Sequence, residues 1–81
     1  MTYSVQVKVM PLKELLDPQG KAVMSGLKSL GLSNVSDVRI GKSIALQVEA
    51  SSAEEAKKIA EEAGRKLLAN PVMEYFEISV N

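Results

Sequence analysis

The chain holds no histidine and no cysteine among its 81 residues. General acid–base or nucleophilic work would therefore fall to Asp, Glu, Lys, Tyr and Ser. The acids concentrate between Glu54 and Glu62. Lys58, Arg65 and Lys66 stand four residues after Glu54, Glu61 and Glu62. Carboxylates paired in this way along a helix read as a solvated salt-bridge face, not as a tuned base. Ser25 and Ser29 have no base near them in sequence and fit the polar side of a helix. Neither a G-x-x-x-x-G-K-[ST] phosphate loop nor a G-x-G-x-x-G turn is present. A Cys-x-x-Cys copper site is excluded by composition. No catalytic residue, cofactor site or metal site is expected.

Three local features point to binding. Leu12, Leu15 and Leu16 put three leucines in one short connection, which suits either a plug for the chain's own core or a contact with a partner. Arg39 and Lys42, in Asp37-Val38-Arg39-Ile40-Gly41-Lys42, could hold a carboxylate or phosphate, or could be ordinary polar positions on a hairpin. The segment Leu67-Leu68-Ala69-Asn70-Pro71-Val72 ends a helix through Asn70 and Pro71, so any binding there would be additional.

These positions need a scaffold, and the apolar periodicity supplies one. Tyr3, Val5, Val7 and Val9 alternate with Ser4, Gln6 and Lys8, the period of a strand that ends at Pro11. Asp17 is placed to cap a helix with Pro18 at its first position. Val23, Gly26, Leu27 and Leu30 continue that helix, and Gly31 ends it. Val35 to Ala50 reads as two strands joined by a tight turn at Gly41-Lys42-Ser43. Ser52 and Glu55 have capping-box spacing ahead of a second helix, with Ala56, Ile59, Ala60, Ala63 and Leu67 as its apolar stripe. A last strand carries Phe76, Ile78 and Val80 on one face. The order βαββαβ predicts an α+β, ferredoxin-like fold: a four-stranded antiparallel sheet with two helices on one face. One domain spanning 1–81 is expected, with only a weak pseudo-repeat of pattern between its halves.

Ten basic and ten acidic residues leave no positive excess for a phosphate backbone. The expected open face of the sheet offers Ser4, Gln6, Lys8, Asp37, Arg39, Gln47, Glu49, Tyr75, Glu77 and Ser79, with one aromatic among them. That is no platform for stacking bases, so nucleic acid is not an expected partner. No run is long and apolar enough for a membrane helix, and the alternating start does not resemble a signal peptide, so a cytoplasmic protein is expected. A domain this small, without disulfides or the usual zinc ligands, gains stability by self-association.

Four segments in order resemble the PurS family, the small subunit of bacterial and archaeal phosphoribosylformylglycinamidine synthase. They are Leu16-Asp17-Pro18-Gln19-Gly20, Asp37 to Lys42, Val48-Glu49-Ala50-Ser51-Ser52 and Leu67 to Val72. Each alone is weak, but the ordered set covers essentially the whole chain. The resemblance implies a non-catalytic bridge in a ligase complex of the fourth step of purine synthesis. A glutaminase subunit would release ammonia there, and a large synthetase subunit binding ATP and magnesium would consume it. It implies help in passing ammonia and self-association as a dimer or tetramer. Candidate interface or motif residues are Leu12, Leu15, Asp17, Pro18, Gln19, Gly20, Arg39, Gly41, Lys42, Asn70 and Pro71. A small-molecule-sensing regulatory domain is the alternative. An acyl-phosphate hydrolase ranks last, because Pro11-Leu12-Lys13 has no arginine after the first strand.

Overall fold

The computed structural model describes residues 1–81. Strand β1 spans Thr2–Pro11, helix α1 Pro18–Ser29, strand β2 Lys42–Glu49, helix α2 Ala53–Ala63 and strand β3 Glu74–Val80. The strands form one antiparallel sheet in the order β2-β1-β3. Val5 stands opposite Leu46 on one side and Val80 on the other, and Val7 opposite Ile44 and Ile78. The alternation in β1 therefore sends Val5, Val7 and Val9 to one face, where all three are buried. Ala56 and Ala60 of α2 meet that face, and their small side chains let the helix approach closely. Val48, Ala50 and Ala69 complete the core.

Helix α2 begins as the Ser52 spacing predicts: Ser52 Oγ accepts from Glu55 N–H at 3.2 Å. The reciprocal half of the capping box does not form, because Glu55 Oε2 accepts from the Ser51 hydroxyl at 2.7 Å. Of the three expected ion pairs, Lys66–Glu62 forms, at 2.6 Å. The expected stripe breaks at its end. Residues Gly64–Leu68 turn as a π-helix, with Ala69 N–H donating to Gly64 O at 3.0 Å. The wider turn directs Gly64 and Ala69 inward and leaves Leu67 83% exposed. Gly64 takes the inward place because a Cβ there would come within 2.6 Å of the Phe76 ring.

Two expectations need correction. The sheet has three strands, not four: residues 35–41 form no strand and no hairpin with β2. The Ile40 N–H instead donates to Asp17 Oδ2 at 2.8 Å, and Arg39 turns back to the carbonyls of Leu12 and Leu15. Side-chain partners have taken the groups a ladder would have used. Nor do both helices lie on the sheet. Helix α1 makes almost no contact with the other elements, and its sole buried residue is Gly20. The chain is accordingly long and thin, 50 × 25 × 13 Å. Its radius of gyration is 16.0 Å, against about 12 Å for a compact chain of this length.

Candidate partner-binding site

The expected site residues gather at one end of the sheet, where β1 runs out at Pro11. Asp17 is the junction. Its Oδ1 accepts from Gly20 N–H at 3.0 Å, capping α1 with Pro18 in the first turn, and its Oδ2 accepts from Ile40 N–H. One carboxylate thus ties the start of α1 to the segment that crosses it. These two backbone donors, Gly20 first, hold the Asp17 carboxyl below the usual carboxylate range, and the Arg39 charge adds to the effect. Gly20 is buried beneath the crossing, and a Cβ on it would collide with the Val38 carbonyl oxygen. Gln19 is exposed beside it.

Arg39 straps the other side, donating from one guanidinium to Leu15 O at 3.4 Å and to Leu12 O. Leu12 in turn donates its N–H to Met73 O at 2.9 Å, stitching this connection to the loop before β3. Asn70 organises that loop. Its side-chain oxygen accepts from Val72 N–H at 3.0 Å, and its carbonyl accepts from Glu74 N–H at 2.7 Å. Pro71 sits exposed in the turn. A shallow cleft of about 260 Å³ opens between the two loops, lined by Pro11, Leu15, Leu16, Asn70, Met73 and Glu74. Around it Leu16 is 71% and Val72 77% exposed, and Met73 is more than half exposed.

Leu12, Leu15 and Leu16 therefore do not plug the core; none is buried. The structure does not converge Arg39 and Lys42 on an anion. Arg39 is engaged with carbonyls, while Lys42 opens β2 opposite Val9 and borders a different cleft with Lys8, Met10, Gly41 and Ser43. Gly41 has no space for a side chain, since Val9 O and the Met10 sulfur lie where one would go. Met73 escaped the sequence reading. Its signal was available as an apolar residue two positions after Pro71, outside the alternation of Phe76, Ile78 and Val80. No group of three or more His, Cys, Asp or Glu could hold a metal, and no helix is long and apolar enough to cross a membrane.

By fold and site the chain is a small α+β protein that presents a mostly apolar cleft at one end of its sheet, framed by the Asp17, Arg39 and Asn70 side chains and by backbone hydrogen bonds. Comparison with known proteins assigns it further. The family model for PurS, described as phosphoribosylformylglycinamidine (FGAM) synthase, matches residues 4–81. The chain belongs to the PurS family, the small subunit of that synthase. It is 37% identical over 78 residues to the PurS subunit of Methanocaldococcus jannaschii, covering 96% of this chain and 94% of the relative. Identity to the Bacillus subtilis subunit is 41% over 78 residues, covering 96% and 92%. Among solved structures, PurLQS from Thermotoga maritima matches with a TM-score of 0.92 at 32% identity, covering 100% of this chain and 99% of that one.

Proposed function

We propose that this chain, as one domain over residues 1–81, is the non-catalytic small subunit that joins a glutaminase to an ATP-dependent synthetase in FGAM synthase. The observation that carries the reading is the match to PurS along nearly its whole length. The close likeness to a structure of PurLQS supports partners of those two kinds. Ammonia made by the glutaminase is consumed on the synthetase, which holds the ATP and magnesium; the small subunit sets the geometry between them and helps ammonia pass. It works in the cytoplasm, self-associates as a dimer or tetramer, and needs neither nucleic acid nor membrane.

The sheet end supplies the contact. Leu12, Leu15 and the exposed Leu16 meet a partner, with Asp17, Pro18, Gln19, Gly20 and Arg39 holding their shape. Asn70 and Pro71 shape the facing loop that carries Val72 and Met73, and Gly41 and Lys42 lie outside this patch. Apolar side chains held open on a hydrogen-bonded frame are what a partner can bury at little ordering cost.

Reconstitution tests this. The synthetase and glutaminase subunits are mixed with and without the chain, and glutamine-dependent product is measured. Activity should require the chain. Replacing Leu12, Leu15 and Leu16 by serine should weaken the complex while thermal unfolding of the isolated chain changes little. Equal activity without the chain removes the proposal, and collapse of the isolated variant returns the leucines to a folding role.

A further inference from the structure

The chain has no cysteine, histidine or tryptophan, so the side-chain atoms most open to a mild oxidant are the sulfurs of Met1, Met10, Met24 and Met73. Their settings differ. Met10 and Met24 are half-buried. The Met10 sulfur packs over Gly41, in the place a side chain on that glycine would need. Met1 is 81% and Met73 53% exposed. These two thioethers are the ones that solvent reaches freely.

The two lie at opposite ends of the sheet. Met1 pairs with Ala50 ahead of β1, whereas Met73 is bonded to Leu12 just past the end of that strand. Ten residues of extended chain, Thr2–Pro11, separate them by about 30 Å. Of the four methionines, Met73 alone lines the cleft with Pro11, Leu15, Leu16, Asn70 and Glu74.

The backbone of Met73 is fixed while its side chain stands open. Its N–H donates to Asn70 O at 3.1 Å, and its carbonyl accepts from Leu12 N–H at 2.9 Å. The Asn70 side-chain amide donates to the Met73 sulfur at 3.8 Å. That donor suits the oxidised side chain better than the reduced one. A thioether is a weak acceptor, and a sulfoxide is polar.

We propose that Met73 is an oxidation site that sets the affinity of the sheet end for its partner, with a hydroperoxide as the oxidant. The sulfur lone pair attacks one peroxide oxygen, the O–O bond breaks and an S–O bond forms. The sulfur gives up two electrons, and the other oxygen leaves as water after taking the proton of the transferred hydroxyl. In the free chain the sulfoxide is held by the Asn70 amide and by solvent. Against a partner it becomes a polar group pressed into an apolar contact, which costs binding. Enzymatic reduction of the sulfoxide restores the thioether and the contact. This rests on the partner contact proposed above and adds a chemical state in which that contact is weakened.

The test treats the full chain with hydrogen peroxide, removes the oxidant, and then adds the untreated synthetase and glutaminase subunits. Peptide mass spectrometry reads the sulfoxide at each methionine, and calorimetry reads the affinity. Met73 should oxidise readily, ahead of Met10 and Met24, and affinity should fall by about 10-fold or more. Methionine sulfoxide reductases should return it to the untreated value. Met73→Leu, compared with its own untreated sample, should lose nothing on oxidation even though Met1 still becomes a sulfoxide. A Met73 that resists oxidation, a Met73 sulfoxide that binds as the thioether does, or a Met73→Leu chain that loses as much as the wild type overturns the proposal and leaves the bridging function standing. An untreated chain that binds neither subunit overturns both.

Discussion

Asp17 shows how one side chain can replace a strand. Its two oxygens accept from Gly20 and Ile40, so the N-terminus of α1 and the crossing segment share an anchor. Both bonds favour the charged form, and the folded-state pKa is accordingly lowered. A lowered acid contributes stability that is fully present above its unfolded pKa, roughly 4, and is lost as pH falls through the folded value. Asp17→Asn keeps an oxygen for the cap but loses the second acceptor. The stability advantage of the wild type over this variant should therefore be constant from neutral pH to about pH 5 and shrink as the solution is acidified below roughly pH 4. Urea titrations of both proteins at a series of pH values would measure it. An advantage that is flat to pH 2 would show that the carboxylate's charge contributes nothing.

At the scale of elements, α1 and the segment after it divide what could be read from what could not. The two glycines of α1 make the division testable. Gly20 lies under Val38, so Gly20→Ala must push the crossing away and should cost about 1–3 kcal/mol. At Gly26 a Cβ would meet nothing within 4 Å, so Gly26→Ala should be neutral or stabilise by about 0.4–1 kcal/mol through the unfolded state. Opposite signs in denaturant midpoints are the expected result. The caps at Asp17 and Ser52, the termination at Gly31 and the burial of Val5, Val7 and Val9 were all legible, because each follows from a local rule. The missing strand was not legible. Val38 and Ile40 alternate as a strand would, and only the long-range bond from Ile40 to Asp17 and the Arg39 strap decide otherwise. The π-turn escaped for a related reason: a regular stripe through Leu67 fits the sequence, and the Phe76 ring beside Gly64 selects the wider turn. Of the candidate site, the two loops were legible as segments. Their junction through Leu12 N–H and Met73 O, and hence the meeting of the exposed Leu16 and Met73 at one cleft, required the fold.

At the scale of the whole molecule, the 50 Å length and the outlying α1 have a consequence for the fate of a single copy. Regions with few buried contacts open locally at low cost, and proteases find them in proportion to that opening. Limited trypsin digestion of the isolated chain at low concentration should cut first at Lys21 or Lys28. Cleavage within the sheet and α2 should stay slow by comparison. First cuts within Thr2–Pro11 or Lys42–Glu49 would contradict this. In a chain of this shape the cheapest way to open the backbone is to detach one helix, and the sheet with its covering helix need not unfold for it to happen.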